Sequence, residues 1–338
     1  MGDVRIANCI EMFHKEENSW KQTIDDFLDF AQEQGVGGEM AWHILGKPLY
    51  ELDEKNYNEI IGYITRESLR KNVMWYGTHW LGAGIKDFCL THPDETFRDF
   101  TAKCIADQCK ALYQIRGEKE GGVAVVGSPF QRNLAVLAQK GQRIREEQAE
   151  EYFADTIARA VRYSEGTGVV IAPERLVYTK NEKALLGPID GEGETDVCYS
   201  MEQAVRIANI ARTKLTRGLD QYVKVMVDVK AATGSEESPV DAYNQIPEGL
   251  ATYHCHIQGG NKFPPGYNDH GQFEGPRSYN LSPTVNFLAK KAADGEDVTL
   301  SIEAFKPFDE VCQKNELTIG QGFAQGNEHL RKLIKNAK

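Results

Sequence analysis

The chain has 338 residues, 41% of them apolar and 26% charged, with a formal net charge of −11. Such values fit a soluble globular protein with a sizeable core. The acidic balance excludes duplex nucleic acid as a partner unless a local basic patch exists, and the sequence shows none. No apolar run approaches the roughly 20 residues that span a bilayer. The start, MGDVRIANCIEMF, lacks the basic and apolar regions of a secretory signal. Seven cysteines, an odd number without metal-site spacing, point to reduced thiols and a cytoplasmic location.

In chain order, VRIANCIEM reads as a strand, and SWKQTIDDFLDFAQEQG follows as a helix that Gly35 stops. GGEMAW is a second strand, with a helix around YNEIIGYITRESLRK; NVMWYGTHW is a third, with a helix from Glu95 to Ile115. GVAVVGSP and EEQAEEYFADTIARAVRYSEG form the fourth pair. GVVIAPERL is the fifth strand, followed by an insertion around GPIDGEGETDVCYS and the helix MEQAVRIANIARTKLTRG. VKVMVDVKA is the sixth strand, with a weak helix around VDAYNQI. LATYHCHIQGG is the seventh, and SPTVNFLAKKAADG is a helix opened by Ser282 and Pro283 as a capping pair. VTLSIEAF is the eighth, and a helical tail closes the chain. Strict strand–helix alternation, eight times over and with no linker, predicts an α/β fold: a single (β/α)8 TIM barrel over residues 1–338. An open doubly wound sheet is the alternative, but no GxGxxG follows the first strand.

Active sites of such barrels lie at the C-terminal strand ends. Those ends carry Glu39, His79-Trp80, Arg132, Glu174, Asp228 with Lys230, His254 with His256, and Glu303. Taken singly, each carboxylate reads as a helix N-cap and each histidine as a hydrogen-bonded core residue. Asp228 and Lys230 are two apart and would share one strand face, as would His254 and His256. As a set, Glu174, Asp228, His256 and Glu303 come from successive strands, and three crowded carboxylates need compensation. One divalent cation supplies it and accounts for the histidine: Mn²⁺ first, with Mg²⁺, Co²⁺ or Zn²⁺ as alternatives. No cysteine is near enough in sequence to suggest a thiolate ligand.

At these residues the chain resembles the xylose-isomerase-like superfamily of sugar and sugar-phosphate isomerases and epimerases. The matching segments are THWL, GSPFQRN, APERL, MVDVKA, YHCHIQGGNKFPPGYNDHGQFE and LSIEAF, in order along most of the chain. The resemblance implies that Glu174, Asp228, His256 and Glu303 bind the metal and that Glu174 and Glu303 shuttle the proton. His79, Lys230, His254 and Lys262 would then position hydroxyls or stabilise charge. Trp80 and Phe263 would each either stack on a sugar face or pack in the core, and Arg132 would bind a hydroxyl, a phosphate or a rim acid. Three departures stand out. Ala231 replaces a histidine, Lys262 replaces an arginine, and Gln258-Gly259-Gly260 replaces a more acidic run.

The expected chemistry is proton abstraction beside the carbonyl of a carbohydrate, giving isomerisation or epimerisation. The alternative by resemblance is the catalytic subunit of a C-glycoside deglycosidase, a carbon–carbon lyase that cleaves a 3-oxo glycoside by β-elimination with a β-rich partner. Partners are thus a small carbohydrate or glycoside and either a homo-oligomer or a second subunit. An abasic-site endonuclease on the same barrel is opposed by the acidic charge, and a non-catalytic barrel by the presence of all four ligands.

Overall fold

The strands are short and apolar, and each hands the chain to a helix. In the computed structural model they are β1 (Val4–Cys9), β2 (Gly37–Met40), β3 (Trp75–Thr78), β4 (Val123–Val126), β5 (Val170–Pro173), β6 (Val225–Asp228), β7 (Ala251–Ile257) and β8 (Val298–Ile302). The structure describes residues 3–15, 17–127, 144–175, 197–234, 237–260, 263–268, 270–275, 279–304 and 307–337. Arg132, Lys262 and most of the insertion around GPIDGEGETDVCYS lie outside them.

All pairings are parallel, in the order β5-β4-β3-β2-β1-β8-β7-β6. Parallel bridges Ile171–Val223 and Glu174–Met226 join the two ends and close the barrel. The predicted (β/α)8 barrel is therefore the fold found, and the open sheet is not.

Among the described residues the α-helices are α1 (Trp20–Gln34), α2 (Glu54–Lys71), α3 (Glu95–Ile115), α4 (Glu146–Tyr163), α5 (Met201–Thr213), α6 (Val229–Gly234), α7 (Pro239–Asn244), α8 (Ser282–Ala293), α9 (Pro307–Lys314) and α10 (Ile319–Asn336). Their ends follow from local chemistry. Ser19 accepts from the Gln22 backbone N–H to open α1, and Gly35, at φ 58°, ends it in the left-handed conformation that glycine tolerates best. Thr318 and Gln321 form a reciprocal capping box at α10. The expected cap at Ser282 is not there: Ser282 is the first residue of α8, and its N-cap position is Leu281, which makes no side-chain cap. Pro283, with its preset φ and missing N–H, marks that helix start, and Asn280 Oδ1 accepts the Ser282 backbone N–H at 3.2 Å.

Strand alternation sorts side chains between two environments. Cys255, Ile257, Leu300 and Ile302 face the helices and join the main core, whereas Val123, Val125, Ala172 and Met226 form a separate apolar cluster with Val170 packed against it. These last residues line the β4–β6 side of the barrel interior. Its opposite side, from β7 through β8 and β1 to β2, is polar, carrying His254, His256, Ser301, Cys9 and Glu39. The barrel interior is thus lopsided, and the polar half is where chemistry can be placed.

Helix α10 seals the β1 side of the outer layer. Buried Phe323 packs on Phe13, Phe30 and Phe308 at centroid distances of 5.8, 6.2 and 5.9 Å. Asn8 Nδ2 donates to Asn327 Oδ1 at 3.1 Å beneath it. Truncation here removes a large buried ring, so Phe323→Ala should cost about 3–5 kcal/mol of unfolding free energy, seen as a lower urea midpoint with an unchanged slope.

Candidate active site

Four strand ends bring Glu174, Asp228, His256 and Glu303 together. Asp228 and His256 are direct register partners across β6 and β7, and Ser301 follows on β8. Glu174 is held just past β5, where its backbone N–H donates to Val126 O. Gly127 leaves the room: a Cβ there would run into Glu174 Oε2. His256 Nδ1 lies 3.3 Å from Glu174 Oε1 and 3.8 Å from Glu303 Oε2. This nitrogen is buried. Ligand atoms of Glu174, Asp228 and His256 all fall within 4.8 Å of one another. Two carboxylates beside Nδ1, with Asp228 in the same ligand group as Glu174 and His256, make an oxygen-rich donor set that suits a divalent cation.

Asp228 does two jobs. Its Oδ1 accepts the Ala231 backbone N–H, capping α6, and its Oδ2 accepts from Gln258 Nε2 at 2.7 Å. The cap reading and the ligand reading of this carboxylate are therefore compatible. Gln258, fully buried, also donates to Glu303 Oε2 at 3.0 Å, and its Oε1 accepts the Lys230 backbone N–H. A neutral amide thus spans two like-charged carboxylates. Arg175, next to Glu174, pairs with Glu237 at 2.7 Å and donates to Ala231 O, tying the β5 end to α6.

The strand face expected to be shared by Lys230 and Asp228 is not found. Strand β6 ends at Asp228, so Lys230 sits in the first turn of α6, where period-2 alternation no longer applies. Its Nζ donates to Tyr279 OH at 2.7 Å. Trp80 follows β3 at φ 55°, strained for a bulky side chain, and its indole Nε1 donates to Glu303 Oε1 at 3.4 Å. The side chain is 40% exposed, so it offers an aromatic face beside the carboxylates. Phe263, by contrast, is buried against Phe308 and belongs to the core.

Behind His256 lies a polar cluster in which the strand-end residues Glu39, His79 and His254 are joined by Glu11, Cys9 and Ser301, which strand-end reasoning left out. Glu39 is fully buried, with Oε1 and Oε2 at 3.1 and 3.2 Å from His256 Nε2. It also lies 3.5 Å from His79 Nδ1 and 3.4 Å from His254 Nε2. His79 Nε2 in turn meets Glu11 Oε2 at 3.1 Å. Cys9 Sγ donates to Glu39 at 3.5 Å, so a cysteine does approach the site, brought by β1–β2 pairing rather than by sequence proximity. Its thiol is pushed well up by burial, then by Glu11 and Glu39, and stays protonated. Burial opposes a charge on His79, but Glu11 and Glu39 outweigh it and raise the ring to about 10. Burial likewise opposes a charge on His256, and Glu39, Glu303 and Glu174 hold it well above its usual value. Glu39 is disfavoured by burial yet held well below the carboxylate range by His256, His254 and His79. His79 and His254 are thus buried partners of Glu39.

No family model matches the chain, and no curated protein matches it. Solved structures do. A D-tagatose 3-epimerase-like protein is 16% identical, with a TM-score of 0.63 over 99% of this chain and 98% of that one. A 3-keto-D-glucoside 4-epimerase from E. coli is 15% identical, with a TM-score of 0.64 over 98% and 100%. The IOLI protein with a bound zinc atom is 13% identical, with a TM-score of 0.62 over 99% of each. The chain shares their barrel fold. Among the described residues, no helix is long and apolar enough to cross a membrane.

The Gln258 bridge generates a test. Gln258→Leu strips two carboxylates of a shared donor in a buried setting. It should lower the stability of metal-free protein by about 1–3 kcal/mol in denaturant unfolding.

Proposed function

We propose that the chain is a divalent-metal-dependent enzyme that removes a proton from a carbon next to a sugar carbonyl and returns it, acting as an isomerase or epimerase. The observation that carries this is the convergence of Glu174 and Glu303 on buried Nδ1 of His256, with Asp228 in one compact ligand group with Glu174 and His256. Fold neighbours named as sugar epimerases, and one named with a zinc atom, support the same reading.

Glu174, Asp228, His256 and Glu303 would hold the metal, with Mn²⁺ the first choice for a set rich in carboxylate oxygen. When bound, it supplies Lewis acidity that polarises the substrate carbonyl and acidifies the neighbouring C–H. Glu174 and Glu303, from β5 and β8, are the proton carriers: one accepts the C–H proton and the other delivers it. Trp80 offers its aromatic face to an apolar sugar surface, and Lys230 with Tyr279 offers a cation and a hydroxyl to substrate oxygens. His79 and His254 act through Glu39 rather than on substrate. Arg132 and Lys262 keep their proposed binding roles on sequence grounds alone.

A second reading starts with the same step. On a 3-oxo glycoside, loss of the C2 proton gives an enolate that re-forms the ketone as the C1 substituent leaves with its bonding electrons. The name of the E. coli neighbour, a 3-keto-D-glucoside 4-epimerase, favours that substrate class without favouring elimination.

Incubation in D₂O with Mn²⁺ or EDTA, against ketoses and a 3-oxo C-glucoside, separates the readings. Metal-dependent deuterium uptake into intact sugar supports isomerase chemistry, and aglycone release supports elimination. Glu174→Gln and Glu303→Gln should each lower kcat by about 10²–10⁴-fold. Turnover unchanged by EDTA and by both substitutions would sink the proposal.

A further inference from the structure

We propose that Glu39 is the positioning residue that presents His256 to the metal, keeping the ring proton on Nε2 so that Nδ1 stays turned to Glu174 and Glu303. The inference rests on the metal reading above and goes beyond its four ligands.

The geometry places a hydrogen on Nε2. Both carboxylate oxygens of Glu39 lie within 3.2 Å of His256 Nε2. An ionised carboxylate only accepts hydrogen bonds, so the nitrogen facing it carries the hydrogen. Nδ1, 3.3 Å from Glu174 Oε1, also faces carboxylates, so a cation that takes the place of the proton there would meet the Nδ1 lone pair while the hydrogen toward Glu39 stays on Nε2. Histidines that bind metals commonly donate their other N–H to a carboxylate in this manner, which fixes the ring and raises its basicity.

Glu39 is itself built in. Ser301 Oγ donates to its Oε2, Cys9 Sγ donates at 3.5 Å, and His254 flanks it at 3.4 Å. Room for it comes from Gly77. A Cβ there would stand 3.2 Å from Glu39 Oε1, 3.0 Å from His254 Cε1 and 2.9 Å from Val123 O. A carboxylate with no exposure, fed by donors from β1, β7 and β8, is an expensive way to fill a barrel. A plain apolar residue would serve if filling were its only task. The competing view is that Glu39 is a buried ion pair of structural value only. In that case its removal alters stability but leaves the metal untouched.

Wild type, E39Q and E39A, labelled with ¹⁵N-histidine, are titrated with Mn²⁺ against a competing chelator and then studied by pulsed EPR. E39Q keeps the shape and an acceptor oxygen but loses the charge; E39A loses both. Wild type should show a directly bound imidazole nitrogen. Mn²⁺ affinity should fall by about 10- to 100-fold in E39A, with a smaller fall in E39Q, and the ¹⁵N coupling should weaken or vanish in E39A. Wild-type affinity and coupling in both variants would overturn the proposal while leaving the metal reading standing. Failure of the wild type to bind Mn²⁺ would remove both. If circular dichroism shows E39A unfolded, the E39Q affinity decides.

Discussion

Like-charge crowding at the barrel mouth is the constraint on which the rest of the structure turns. Glu174, Asp228 and Glu303 converge within reach of a single imidazole, and Glu39 and Glu11 lie just behind. Each carboxylate is tolerated because something specific meets it. Gln258 spans Asp228 and Glu303, the α6 backbone caps Asp228, and His79 sits between Glu11 and Glu39. His256 faces carboxylates on both edges of its ring. Such an arrangement is costly in a low-dielectric interior unless it is paired and hydrogen-bonded throughout, and it favours binding of a cation.

The fold makes the arrangement possible by dividing the barrel interior. Apolar side chains of β4, β5 and β6 pack one half, and polar side chains of β7, β8, β1 and β2 fill the other. Two glycines do the spatial work, Gly127 beside Glu174 and Gly77 beside Glu39. A Cβ at Gly127 would run into Glu174 Oε2, and one at Gly77 would press on Val123 O at 2.9 Å and crowd Glu39 Oε1 at 3.2 Å. Trp80, in a left-handed backbone conformation at the mouth, stores strain where an aromatic face meets the carboxylates.

The barrel was legible in the sequence because its signals are local. Short apolar runs, helix periodicity and stop residues such as Gly35 repeat eight times, and the residues at strand ends could be read off directly. Local signals also misled. Lys230 was given Asp228's face because two-residue alternation was carried past the end of β6, and Ser282 was given a cap that the helix start does not use. Glu39 was seen only as a strand end. Its role depends on Ser301, 262 positions away, and on His256, 217 positions away, and no local pattern encodes those contacts. The pair Gly37-Gly38 before it was the one available hint that a strand had been cleared for close packing. Gln258 stood out as a departure from a resembling pattern, and its meaning appears only once Asp228 and Glu303 are seen on either side of it.

The central claim is that the four strand-end residues form one cation site. Anomalous diffraction from crystals of the protein grown with Mn²⁺, recorded on both sides of the manganese absorption edge, tests it most directly. The account predicts a single strong peak bounded by Glu174, Asp228, His256 Nδ1 and Glu303, with Glu39 still on Nε2. No peak there, or a peak seated among Cys9, Glu11 and His79 instead, would contradict it.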